Sequence, residues 1–264
     1  MEKQVLKVLT HLVPPTLQAC ELTFVESETI DLGKAINEHE NYCRMLEECG
    51  AHVIRLDENM SLPDSVFVED PIIVFDEIAV LTSMGVKSRR KEGDALAAFF
   101  RQYRKLKQIS LPAKIEGGDV LKVGRRVFVG DSPRTNSRGI KALKGIIEPF
   151  GYETIAVKVR GCLHLKTGCT ALDEETVLIN PGWVDSTPFE DFRIIETPPG
   201  EPFGANVLPI HDTICMNKAF PETIGLVSSL GYEVASTDIS EFVKAEAGLT
   251  CMSVPFLSKY LALS

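Results

Sequence analysis

VFVEDPIIVFDEIAVLT, Val66 to Thr82, is two apolar runs around a polar centre, the pattern of a β-hairpin. The pattern returns as EGGDVLKVGRRVFVG (Glu116–Gly130), HLKTGCTALDEETVLI (His164–Ile179) and GANVLPIHDTICM (Gly204–Met216). Outward from these hairpins, residues 91–106, 137–150 and 221–230 space their apolar positions as helices do, as does an earlier stretch at 32–49. GAHVIRL from Gly50, GYETIAV from Gly151 and GYEVAS from Gly231 then restart the chain, and glycine just past a helix end is the expected stop before a strand.

Hairpin, helix and strand thus recur with a period of about 40 to 50 residues, the length of one supersecondary unit. A fifth hairpin, split between GLTCMSV from Gly248 and QVLKVL from Gln4, would close a ring and bring those two segments together. The expected architecture is α/β, a five-bladed propeller with pseudo-fivefold repeats, formed by one catalytic domain over residues 1–264. Equivalent first strands around one axis would then direct Glu69, Asp70, Glu116, His164, Asn206 and Cys251 towards a common centre.

Composition limits what such a centre handles. A hydrophobic fraction of 44% and a charged fraction of 25% are those of an ordinary globular chain. A net charge of −9 argues against nucleic acid, which needs a basic face, and the run Lys87–Lys91 is too short to supply one. No apolar run reaches membrane-spanning length and the first residues lack a secretory pattern, so a cytoplasmic location is expected. The seven cysteines should be thiols, and Cys162 with Cys169 lacks the second close pair of a structural metal site.

Alone, Cys251 reads as a small buried hydrophobe and His164 as a hydrogen-bonded core histidine. At equivalent places in a repeat they become nucleophile and proton carrier. The thiolate is the reactive form, so a cationic neighbour or a cationic substrate must draw the thiol down. Glu69, Asp70 and Glu116, set among apolar residues, require cationic partners, either a structural Arg or Lys or a bound guanidinium. Arg89 and Arg134, each following a hairpin, read singly as surface charges and together as a pair that grips a carboxylate.

In this order PDSVFVEDP (Pro63–Pro71), SRRKE (Ser88–Glu92), EGGD (Glu116–Asp119), RTN (Arg134–Asn136), LHLKT (Leu163–Thr167), Ala205-Asn206 and LTCMS (Leu249–Ser253) span most of the chain. They resemble the dimethylarginine dimethylaminohydrolases of the amidinotransferase, or pentein, superfamily. The resemblance implies the five-bladed fold and assigns roles. Cys251 is the implied nucleophile, His164 the general acid and base, and Glu116 the acid that orients His164 or holds the guanidinium. Glu69 and Asp70 belong near the guanidino end, Asp64 near the amino acid end, Phe67 is an apolar wall, and Arg89 and Arg134 hold the α-carboxylate. Leu22 aligns with a lid residue that contacts substrate through its backbone, and Ala245 with a backbone contact before the nucleophile.

Two departures bear on selectivity. The lid run after Leu22 carries Glu26 and Glu28, more acid than the family pattern, and Ala245 replaces a branched apolar residue. The implied reaction is hydrolysis of methylated arginine to citrulline and an amine through a covalent thiouronium, with a guanidino amino acid as partner and no metal or organic cofactor. A homodimer is admissible. An arginine or other guanidino deiminase is the nearest rival. A non-catalytic propeller like the ribosome anti-association factors is the remote alternative, and Cys251 with His164 decides against it.

Overall fold

The computed structural model describes residues 4–258, so the expected domain limits at 1 and 264 lie outside the described residues. In chain order the strands are β1 (Val5–His11), β2 (His52–Leu56), β3 (Ile72–Val74), β4 (Ile78–Leu81), β5 (Lys105–Gln108), β6 (Val120–Val123), β7 (Arg126–Asp131), β8 (Glu153–Lys158), β9 (Cys169–Ala171), β10 (Thr176–Ile179), β11 (Arg193–Glu196), β12 (Leu208–Ile210), β13 (Thr213–Asn217), β14 (Glu233–Thr237) and β15 (Val254–Ser258). The helices are α1 (Leu32–Glu48), α2 (Gly93–Phe100), α3 (Ser137–Ile147), α4 (Leu165–Gly168), α5 (Pro221–Ser229) and α6 (Ser240–Val243).

The strands form five three-stranded sheets: β3-β4-β5, β6-β7-β8, β9-β10-β11, β12-β13-β14 and β15-β1-β2. In every sheet the first two strands pair antiparallel and the last two parallel. The fifth blade is assembled from both ends of the chain, with Val5 opposite Ser258 and Leu9 opposite Val254.

The core shows why five blades make a ring. Apolar side chains gather into five clusters, and each cluster fills the seam between two neighbouring blades. Val8 meets Leu208 and Ile210, Leu9 and Phe256 meet Ile72 and Ala79, Ile73 and Val80 meet Val120 and Val127, Phe128 meets Val177, and Leu178 meets Ile214. Middle strands face a seam on both sides, which explains the unbroken apolar runs at Val127–Val129 and Val177–Ile179, all fully buried. Each such side chain stabilises the fold by about 1.5 to 3 kcal/mol relative to exposure. At one seam Phe128 stacks on Phe189 with ring centroids 4.4 Å apart. Residues from all five first strands line a cavity of about 270 Å³, which places those strands around one axis.

Two local expectations need correction. The helical spacing over 91–106 gives a helix only to Phe100, because Lys105–Gln108 pairs in parallel with β4. Sheet pairing there overrides helical periodicity. Between β10 and β11 the connection carries a single 3₁₀ turn, Thr187–Phe189, instead of a helix. The glycine restarts hold, with Gly50, Gly151 and Gly231 at φ of +91°, +82° and +96°, a region that side chains avoid. Among the described residues no helix is long and apolar enough to cross a membrane.

Candidate active site

The polar residues of the repeat sit in the turn that leads into each first strand. Glu69 and Asp70 lie in the turn before β3, and Glu116 precedes the 3₁₀ turn Gly117–Asp119 that enters β6. His164 precedes α4 and hence β9, Asn206 precedes β12, and Cys251 lies in the 3₁₀ turn Thr250–Met252 before β15. The expectation that Glu69, Asp70 and Glu116 lie within strands is therefore corrected by a few positions. A pleated strand alternates its side chains, whereas a turn at the strand's mouth aims a chosen one along the axis.

Close approach dictates the glycines. A Cβ on Gly117 would stand 2.0 Å from the Glu69 carbonyl oxygen, and one on Gly118 would stand 2.6 Å from His164 Nδ1. Asp119, which received no role from sequence, is the clamp between blades. Its Oδ1 accepts from the Leu165 backbone N–H at 2.9 Å and its Oδ2 from the Ser132 hydroxyl at 2.6 Å. It thereby fixes the start of α4 and with it His164. Its invisibility follows from the distance along the chain, since the Leu165 donor is 46 residues away.

His164 Nε2 donates to Glu116 Oε2 at 2.9 Å, and Asp70 Oδ1 is 3.8 Å from the same nitrogen. Burial alone would depress the imidazole, but the Asp70 charge and the Glu116 bond outweigh it and raise its pKa to about 9. Burial likewise opposes ionisation of Asp70, yet His164 and Arg89 hold its carboxyl below the usual range. Glu116 is fully buried, and its Oε1 makes no hydrogen bond among the described residues. Arg134 Nη1, also without a hydrogen bond, lies 3.6 Å from that oxygen.

Cys251 is partly accessible and accepts the Gly248 N–H at 3.4 Å. Burial, then the Glu69 and Asp70 charges, push its thiol up to about 12, against smaller opposing effects from that N–H and Lys166. The resting thiol is therefore protonated. Glu69 is already matched: Lys166 Nζ reaches one oxygen at 2.5 Å and the Thr250 hydroxyl the other at 2.9 Å. Asn206 ties the same group together, donating to the Lys166 carbonyl at 2.8 Å and to Thr250 Oγ1 at 3.1 Å.

Arg89 is buried among three carboxylates. Its Nε and Nη2 edge is occupied by Glu92, Nη1 donates to Asp70 at 2.9 Å, and Asp64 lies 3.7 Å from Nε. Burial opposes charge on both acids, holding Asp64 above its ordinary pKa and raising Glu92 to about 7. Asp64 also accepts the Glu21 N–H, so it joins the lid segment to the site. The next lid residue, Leu22, is half-buried, and Thr23 Oγ1 accepts from Arg134 Nη2 at 2.8 Å. Phe67 and Ala245 are buried in the apolar cluster against which Cys251 packs. Glu26 and Glu28 are exposed. Besides Asp64, the acid that touches this segment is Glu246, which accepts the backbone N–H groups of Thr23 and Phe24.

Asp70, Glu116 and His164 present ligand atoms within 4.8 Å of one another, enough to surround a cation. With Nε2 protonated and committed to Glu116, the trio is arranged to carry a proton.

Residues 19–192 match the family model described as N,N dimethylarginine dimethylhydrolase, eukaryotic. The chain is 34% identical over 228 residues to the N(G),N(G)-dimethylarginine dimethylaminohydrolase of Pseudomonas aeruginosa, covering 86% of this chain and 90% of that one. It is 35% identical over 256 residues to the Streptomyces coelicolor protein of the same name, covering 96% and 98%. Among solved structures, a cysteine-to-serine mutant of the Pseudomonas aeruginosa enzyme complexed with citrulline superposes with a TM-score of 0.90 at 31% identity, covering 96% of this chain and all of that one.

Proposed function

The chain belongs to the dimethylarginine dimethylaminohydrolase family, and we propose on that premise that it hydrolyses Nω-methylated arginine to citrulline and methylamine or dimethylamine. The observation that carries the assignment of roles is geometric: a buried imidazole, bonded to Glu116 at 2.9 Å with Asp70 3.8 Å from the same nitrogen, shares one site with a partly accessible Cys251. The acids raise the imidazole against burial, and burial with the acids pushes up the thiol. Such a pair holds its proton on sulfur until a second cation arrives. A substrate guanidinium is that cation, and its charge beside Cys251 favours the thiolate, the thiol proton being lost to solvent because His164 already carries its own.

Cys251 Sγ then adds to the guanidinium carbon, and its electron pair forms the C–S bond. The C–N bond to the methylated nitrogen breaks as His164 delivers a proton, so the amine leaves neutral and a thiouronium stays on Cys251. His164, now neutral, takes a proton from water as its oxygen attacks the same carbon. The C–S bond breaks, and citrulline and the free thiol result. Glu116 and Asp70 hold the imidazole in place and favour its charged form.

Arg134 is the better placed of the two arginines to grip the α-carboxylate, because its buried Nη1 has donor capacity left. Arg89 offers only the Nη1–Nη2 edge, since Glu92 fills the other. Asp64 and the Leu22 backbone are assigned to the α-amino group, Phe67 to the aliphatic stem, and Ala245 to a backbone contact. Glu69, matched by Lys166, supports the floor of the guanidino end.

Purified protein assayed with asymmetric dimethylarginine, monomethylarginine, arginine and agmatine tests this reading through ureido product and released amine. Citrulline with dimethylamine from the first is expected. Faster turnover of arginine with ammonia release would reassign the chain as a deiminase.

A further inference from the structure

Glu246 adopts φ of +58°, a left-handed conformation that a residue with a side chain rarely takes. Such a conformation persists where surrounding contacts over-determine it. Here the turn after α6 is closed by Glu246 N–H to Val243 O and Ala247 N–H to Phe242 O, each 3.0 Å. That turn presents the half-buried carboxylate to a segment more than 220 residues earlier, and its two oxygens accept the Thr23 N–H at 2.7 Å and the Phe24 N–H at 3.0 Å. Among the described residues no other backbone hydrogen bond reaches Thr23 or Phe24.

The segment so held lies against the site. Glu21 N–H bonds Asp64, and Thr23 Oγ1 takes a hydrogen from Arg134. Two residues beyond Glu246, Gly248 donates to the sulfur of Cys251, so one short loop touches both the lid and the thiol.

We propose that Glu246 is the latch that holds Glu21–Phe24 across the mouth of the site, a positioning residue for substrate capture. The inference rests on the methylarginine reading only for the identity of what is captured. Releasing the latch costs affinity without altering the chemistry at Cys251 and His164. Because the backbone is left-handed there, glycine replaces Glu246 without strain and removes the side chain with both acceptor oxygens, whereas glutamine keeps the carbon chain and removes the charge.

The test combines amide hydrogen exchange at Thr23 and Phe24 with steady-state kinetics on asymmetric dimethylarginine, in wild type, E246Q and E246G. In E246G both amides should exchange at least about tenfold faster. KM should rise about tenfold, with kcat within about threefold of wild type. E246Q keeps one acceptor oxygen and should fall between them in both readouts. The proposal is overturned if the amides stay protected in E246G, or if protection is lost while KM is unchanged. Should E246G not fold, E246Q decides on the same criteria. If wild type turns over no methylated arginine, the exchange data alone decide the latch, and the substrate reading fails separately.

Discussion

Replacing Glu116 with glutamine removes one negative charge and almost no volume from the partner of His164, so the proton affinity of the imidazole reports it directly. The bond is 2.9 Å, from a charged donor to a carboxylate. An opposite charge within about 4 to 6 Å moves a pKa by about 1 to 3 units, and because glutamine still accepts the bond from the imidazolium the low end of that range applies, about one pKa unit. Burial lowers the imidazole, and Asp70, left in place 3.8 Å away, keeps part of the elevation, so His164 should titrate near about 8 in E116Q in place of about 9. The kinetic sign follows from counting protons. Thiolate and imidazolium coexist only after the pair has lost one proton, and the first to go is that of His164, because Cys251 lies higher at about 12. The ascending limb of kcat/KM, which reports the free enzyme, should therefore move to lower pH by about one unit even as its plateau falls. Nitrogen-15 NMR of the five histidines, with His164 assigned by its loss in a variant, measures the shift without turnover. An imidazole that moves by less than about 0.3 unit, or upwards, refutes the role given to Glu116.

Cys251→Ser should fold and lose turnover, and acid quench of wild type during turnover should trap an adduct that peptide mapping places on Cys251; a map to another cysteine ends the mechanism. The two arginines should separate. Arg134→Ala should raise KM about 10- to 100-fold, the worth of a charged hydrogen bond, with a smaller loss of stability than at Arg89 because it leaves one buried acid, Glu116, in place of three. Arg89→Ala strands Asp64, Asp70 and Glu92 in the interior and should lower unfolding free energy in urea by about 3 to 5 kcal/mol; a small change would mean those acids find protons or water instead. Glu26→Gln with Glu28→Gln should change KM less than about tenfold, because both side chains face solvent.

The ring was legible because its information is local. A hairpin, a helix and a left-handed glycine each declare themselves within a few residues, and their recurrence supplied the count of blades. The third blade's helix-free connection and the early end of α2 were not, because parallel pairing with a strand across a crossover leaves no local trace. The same division holds at the site. Cys251, His164 and Glu116 stand out as polar residues at repeated positions before apolar strands. What engages them does not: Lys166 meets Glu69 from 97 residues away, Asp119 reaches Leu165 across 46, and Glu246 meets Thr23 across 223. Glu92 is the exception, three residues from Arg89 in the same turn and so within local reach.

The seam where Val5–Leu9 zips onto Val254–Ser258 gives biosynthesis an all-or-none character. A ribosome releases the amino-terminal strand first, and that strand waits through synthesis of four blades before its antiparallel neighbour emerges. Cys251, the proposed nucleophile, stands three residues ahead of that neighbour, in the stretch whose arrival shuts the circle. A nascent chain that stops short of Val254 therefore leaves the β1 edge without its antiparallel partner and takes Val254 and Phe256 away from the cluster that covers Leu9. An unpaired strand edge is a template for pairing with another chain, so closing the fifth blade also removes the place where an unfinished chain would associate with its neighbours.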